Sequence, residues 1–353
     1  LEELLPKDNE NVPVPAWTTD DPNDPLPSPF APDQMVRCEA CLRANPPTRL
    51  NCLYCAAALP LNEATLAMQK PALRPLEKWE RGYNNILLPP AANLNEASLA
   101  EAADLLRLRV EDLSRILTAT VPFPLARTAT VDEAQLVERR LSKLGIDSRI
   151  MPDGESGPDE IVKVRALEID DEGVYAYQTP EAPAMHVPWS EFVLFVVGRL
   201  VSKRVELKEQ KAARAENRIL SDSEFSTDEM VVDFYNREQA APYRIAANSF
   251  DFSCLGTEKG LLAAENLTRL VKSLRERTPK AEYDDLFNSL RRSLEAVWPS
   301  QQQNASSGWR RERPGKYSIG SVTERSNETQ FLRYSQLRRH FISEAAMRTD
   351  QDG

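Results

Sequence analysis

Histidine is nearly missing from this chain. Its 353 residues hold two, His186 and His340. Neither has a second metal ligand or a nucleophile nearby in sequence, which argues against His-based acid–base catalysis. His186 precedes Val187-Pro188 and reads as a strand or turn residue. Glycine is scarce too, at 12 residues. There is no Gly-x-Ser-x-Gly elbow, no Gly-x-Gly-x-x-Gly and no phosphate loop; Gly315-Lys316 lacks the following Ser or Thr that a phosphate loop needs. Acid pairs are present, but Asp170-Asp171 reads as a turn and Asp284-Asp285 as a helix surface. These absences speak against an enzyme. Long apolar runs are also lacking. The longest, Phe192 to Gly198, falls far short of the roughly 20 residues a membrane helix requires. The chain begins at Leu1 rather than Met, which leaves an upstream anchor and peripheral membrane contact open.

A basic balance is lacking as well. The net charge is -10 and the pI about 5.1, against the footprint of a general nucleic-acid binder. The charge is uneven. Residues 1–34 carry eight acids and one Lys, a net of -7; residues 309–341 carry eight Lys or Arg and three Glu, a net of +5. Such ends suit charge-steered contacts.

Four of the five cysteines fall in one stretch, RCEACLRANPPTRLNCLYC. Cys38, Cys41, Cys52 and Cys55 form two Cys-x-x-Cys pairs ten residues apart. Each pair offers two thiolates from a tight turn, and together they make the tetrahedral set of one structural Zn2+. Asn45-Pro46-Pro47 turns the connector back toward the metal. Four thiolates on one divalent ion leave two negative charges, which Arg37, Arg43 and Arg49 can offset. Two disulfides would need an oxidising compartment. No signal peptide is visible, so the location expected is cytoplasmic. Four protein ligands leave no open position for catalysis on the metal. The fifth cysteine, Cys254, follows an apolar stretch and reads as packed interior.

The cysteine spacing, with Asn45 following Cys41 after three intervening residues, resembles the Ran-binding-protein type of zinc finger. It is also similar to the short zinc ribbons of bacterial multidomain proteins. Members of the finger family that bind single-stranded RNA stack bases on a Trp two residues before the first cysteine; this chain has Val36 there. The resemblance therefore implies protein recognition or structure ahead of RNA binding.

Around the zinc ribbon, residues 36–60, the sequence divides into segments. Residues 1–35 are rich in Pro and Asp and are expected to be disordered. Residues 61–84 read as a linker broken by Pro71 and Pro75. Residues 85–153 read as a small α/β domain. Strand 85–88 precedes helices 98–108 and 110–118, strand 123–127 and a helix started by the capping box Thr130-Val131-Asp132-Glu133. Gly145 stops that helix, and strand 146–151 closes the unit. This βααβαβ order resembles the C-terminal domain of the bacterial ribosomal stalk protein. Asp104, Arg107, Arg109, Glu111 and Asp112 stand on the face that carries factor-recruiting lysines in that family, so the resemblance implies a scaffold with other docking.

Residues 160–299 read as strands followed by helices. Strands are expected at 161–169, 174–177, 192–197, 201–207, 230–235 and 243–247, with a turn at Asp170–Gly173. Lys208–Asp228 reads as a charged insertion, helical or mobile. One helix buries Leu267, Leu270, Val271 and Leu274; a second buries Tyr283, Leu286, Phe287, Leu290, Leu294 and Val297. The pattern, with Val187-Pro188-Trp189-Ser190, is similar to bacterial pleckstrin-homology-like domains, which implies a lipid, peptide or protein ligand. Residues 300–353 read as a basic flexible tail with a patch at Trp309–Arg313 and a helix at 331–347.

The expectation is thus an α+β multidomain chain: a zinc-binding, non-catalytic adaptor or accessory subunit of a multiprotein assembly. The alternative is an RNA- or ribosome-associated zinc-ribbon factor.

Overall fold

The computed structural model describes residues 30–60, 71, 73–77, 80–89, 94–119, 121–212, 215–238, 241–313 and 316–351. It divides into two compact units, Leu1–Lys70 and Pro71–Gly353. The expected disordered segment through residue 29 and the linker residues 61–70 lie outside the described residues.

In the first unit a 3-10 turn, Pro32–Gln34, leads into β1 (Val36–Arg37), paired antiparallel with β2 (Ala44–Asn45). An isolated bridge joins Asn51 to Ala58. The buried cluster here consists of Val36, Cys38, Cys52 and Leu59. A core of that size does not offset the conformational entropy of the segment.

The second unit begins with the βααβαβ order expected from the pattern. The strand β3 (Tyr83–Leu87) lies between β4 (Phe123–Thr128) and β5 (Ser148–Pro152), antiparallel to both. Helices α1 (Glu96–Leu106) and α2 (Val110–Thr118) connect β3 to β4, and α3 (Val131–Lys143) connects β4 to β5. Local chemistry sets these ends. The Asn95 side chain accepts from the Ser98 N–H, and the Thr130 hydroxyl accepts from the Glu133 N–H. Past α3, the Gly145 N–H donates to the Ser142 carbonyl and the Ile146 N–H to the Leu141 carbonyl. Gly145 takes a φ of +85°, the left-handed geometry such a cap requires.

Next come β6 (Val162–Val164) and a three-stranded antiparallel meander, β7 (Ala166–Ile169), β8 (Gly173–Tyr177) and β9 (Met185–Pro188). Asp170 closes the first turn by accepting from the N–H groups of Glu172 and Gly173. A long hairpin follows, β10 (Phe192–Ala212) with β11 (Ala215–Asn236). Then come β12 (Tyr243–Ala246), α4 (Ala263–Arg277), β13 (Glu282–Asp284) and α5 (Phe287–Val297). The chain continues through β14 (Gln301–Arg313), β15 (Lys316–Ser326) and α6 (Glu328–Gln351). The main sheet runs β14-β15-β10-β11-β12-β6, with β13 parallel to the start of β10.

The apolar run at 192–197 is explained by burial on both faces. Leu194 and Val196 of β10, with Val231 and Tyr235 of β11, enter one core with Ile86, Phe123, Phe287 and Phe331. Phe195 and Val197, with Val232 and Phe234, enter another with Val174, Val187, Leu267 and Leu270. The first core joins side chains from residues 85–153 to side chains from residues 160–299 and from α6.

Several elements differ from the sequence reading. Residues 208–212 and 215–228 of the expected insertion are strand, neither helical nor a mobile excursion: they continue the β10–β11 hairpin, and β15 pairs with β10 from Ser202 to Ala212. Their Ala, Glu, Lys and Arg residues favour helix locally, but backbone pairing on the neighbouring strands prevails. Residues 301–313 and 316–326, expected to be flexible, form β14 and β15. Their Ser, Gln and Asn residues give no apolar alternation by which a strand could be read. Tyr283 belongs to β13 and Leu286 caps α5, so neither is helical interior. Asp284 is buried rather than on a helix surface; it accepts from the Tyr334 hydroxyl and the Arg338 guanidinium. The tail helix runs beyond 331–347 and buries Phe331, Leu332, Tyr334 and Leu337. The α+β class stands. No helix among the described residues is long and apolar enough to cross a membrane.

Candidate metal centre

The ribbon builds its site from two knuckles of the same design. In the first, the Cys38 carbonyl accepts from the Leu42 N–H and the Cys38 N–H donates to the Arg43 carbonyl. In the second, the Cys52 carbonyl accepts from the Ala56 N–H and the Cys52 N–H donates to the Ala57 carbonyl. The residue after each second cysteine turns left-handed, at φ 61° for Leu42 and 60° for Ala56. Neither is glycine, so each knuckle holds a strained backbone, on the order of 1–2 kcal/mol.

These turns bring Cys38, Cys41, Cys52 and Cys55 together, with their Sγ atoms all within 4.8 Å of one another. Two Sγ pairs, Cys38–Cys55 and Cys41–Cys52, are 3.6 and 3.5 Å apart. A metal–sulfur bond of about 2.3 Å gives a tetrahedral edge of about 3.8 Å, close to both. A disulfide would need about 2 Å. The four cysteines named by the sequence are therefore arranged to hold one metal ion.

Asn45 locks the two knuckles to each other. It is fully buried. Its amide donates to the Arg43 carbonyl at 2.9 Å and approaches Cys52 Sγ at 3.5 Å. Its carbonyl oxygen accepts from the Leu53 N–H at 2.8 Å. Sequence reading assigned Asn45 to a turn and missed this clip. The Asn45 position in the finger pattern was the one available signal.

The electrostatics of Cys52 and Cys55 call for a cation. Burial opposes ionisation of Cys52, but the N–H groups of Tyr54 and Cys55, the Asn45 amide and Cys41 outweigh it. Together they bring Cys52 down to about 6. At Cys55 the Ala57 N–H favours the thiolate, but Cys41, burial, Cys38 and Cys52 push the group up to about 12. Thiolates this close repel one another, and a divalent ion between them supplies the opposing charge.

Outside the sulfur cluster, Leu42, Leu53 and Tyr54 are 65%, 52% and 56% exposed. The Arg43 guanidinium stacks on the Tyr54 ring at 4.7 Å. Arg37, Arg43 and Arg49 are all exposed.

The remaining sequence candidates lie elsewhere. His186 sits in β9, exposed and stacked on Tyr175 at 4.6 Å. Cys254 is half-buried beside the second core, and burial pushes it up to about 11. The backbone of the 309–313 patch is strand β14; its side chains lie outside the described residues. No family model, curated protein or solved structure matches the chain.

Proposed function

We propose that this chain is a zinc-binding adaptor, a non-catalytic accessory subunit that joins protein partners into a larger assembly in the cytoplasm. The observation that carries this reading is the ribbon itself. Two strained knuckles and a buried Asn45 clip are spent on an all-sulfur tetrahedron, the donor set that suits structural Zn2+. Around it the segment presents Leu42, Leu53, Tyr54 and Arg43 to solvent. Exposed apolar and aromatic side chains on a rigid support are what a protein partner buries at the centre of an interface. The metal here orders a surface and leaves no position for substrate.

Affinity purification of the native protein, with mass spectrometry of co-purifying chains and metal analysis of the same sample, tests the reading. The expected result is one zinc per chain and a stoichiometric set of protein partners. Iron in place of zinc would overturn the metal assignment. A point variant that still folds but loses turnover of a small molecule would overturn the adaptor.

One observation favours an RNA- or ribosome-associated factor instead. Tyr54 gives the ribbon an exposed aromatic face with an arginine on it, although Val36 stands where the RNA-binding fingers carry Trp. Under that reading a short single-stranded RNA binds with strong salt dependence, and Tyr54→Ala removes the binding. A flat titration at low salt dismisses it.

A further inference from the structure

The proposed function makes no use of a half-open cleft in the second unit. There the turn Trp189–Glu191, the segment Thr278–Glu282 and the last turns of α6 surround a cavity of about 700 Å³. That volume lies within the range of ligand pockets. One wall is apolar and includes Val193, Ile342, Ala346 and Met347. Met347 is 64% exposed, an unusual state for a large apolar side chain beside a concave surface.

The rest of the lining is cationic. Among the described residues of the lining, Arg237, Arg277, Lys280 and Arg339 face a single carboxylate, Glu282. Glu282 already has a partner in Arg338, at 3.5 Å. Arg277 lies over the Trp189 ring at 5.3 Å and donates to the Asp170 carbonyl. Arg339 is half-buried and donates through one nitrogen to the carbonyls of Asn236 and Arg237, both at 3.0 Å. Its Nε is buried with no hydrogen-bond partner. A guanidinium taken partly out of water beside three like charges is an uncompensated cost, and an anion would remove it.

We propose that this cleft binds an acidic segment of a protein partner that carries one bulky apolar side chain. The four cations come from separate places: the end of β11, the end of α4, the loop after it and α6. A ligand that satisfies them offers several separated carboxylates, as an extended acidic peptide does. The apolar side chain covers Ile342 and Met347. This rests on the adaptor reading and names the chemistry of one of its partners.

The test uses the full-length protein and an array of short acidic peptides, each with one Leu, Phe or Trp. A matched array replaces every acid with Gln or Asn. Acidic members should bind, with affinity falling as salt rises, and matched members should not. The double variant Arg237→Glu/Lys280→Glu reverses two exposed charges and should weaken binding by about ten-fold or more. Met347→Asp should weaken it independently through the apolar wall, and circular dichroism should show both variants folded. No acidic binding at low salt would overturn the proposal. So would binding that both variants leave unchanged, or displacement of every peptide by inorganic phosphate alone, which would mark a phosphate site. If these tests fail while stoichiometric partners still co-purify, the cleft proposal falls and the adaptor stands.

Discussion

The ribbon packs Val36 and Leu59 around two of the four cysteines arranged to hold a metal ion. The second unit packs both faces of one strand pair, with Phe195 and Phe234 on one side and Leu194 and Tyr235 on the other. With a metal on its four sulfurs, the ribbon would depend on a few metal–sulfur bonds, whereas the second unit depends on many small contacts. The same change, the loss of one side chain, has different consequences in the two places.

Cys38→Ser should show this most plainly. Structural zinc contributes on the order of 10 kcal/mol to small domains of this kind, so the ribbon should lose both metal and order. The chain from residue 71 onward should stay folded. Limited proteolysis with metal analysis reads both, and digestion of the whole chain would contradict the separation. Phe195→Ala reverses the test. It should cost the second unit about 4 kcal/mol in denaturant unfolding, while zinc stoichiometry stays the same.

A finer cut removes one buried hydrogen-bond donor. Tyr334 donates to both Asp284 oxygens, at 3.0 and 2.9 Å. Tyr334→Phe should destabilise the second unit by about 1–2 kcal/mol; an unchanged urea midpoint would mean that Arg338 and the Leu286 N–H satisfy Asp284 without it.

Acid should act on the second unit through Asp153. Burial would raise this carboxyl, but Arg127, Asn84 and the Gly82 N–H hold it below the usual range. Its folded pKa is depressed, so its contribution is complete above the unfolded pKa and is lost as pH falls through the folded one. Arg127→Met should flatten that acid limb in urea midpoints measured against pH; an identical profile would rule the pair out as its source. The smallest effect returns to the ribbon. Ala56→Gly relieves a left-handed alanine and should stabilise the metal-bound ribbon by about 1 kcal/mol, seen as slower metal loss to a chelator.

The comparison also explains what could be read from the residues alone. The four ligands were readable because thiolate spacing is dictated by coordination chemistry. The α3 helix was readable because Thr130 and Gly145 mark its ends with their own hydrogen-bond and dihedral chemistry. The distal hairpin was not, because residues 208–212 are held extended between residues 215–221 of β11 and a strand, β15, that arrives about a hundred residues later. Asp284 was misplaced for a similar reason: its partners, Tyr334 and Arg338, arrive on a helix about fifty residues later. The basic cleft gave no signal, since Arg237, Arg277, Lys280 and Arg339 meet only after the helices pack.

The alternation along β10 limits how this chain can change length over evolution. Leu194, Phe195, Val196 and Val197 feed the two cores in turn. One residue inserted before them would send every following side chain to the wrong core, and a deletion would do the same. Insertions and deletions should therefore collect outside residues 192–197 and 231–235. Homologues of different length should diverge first outside these two stretches.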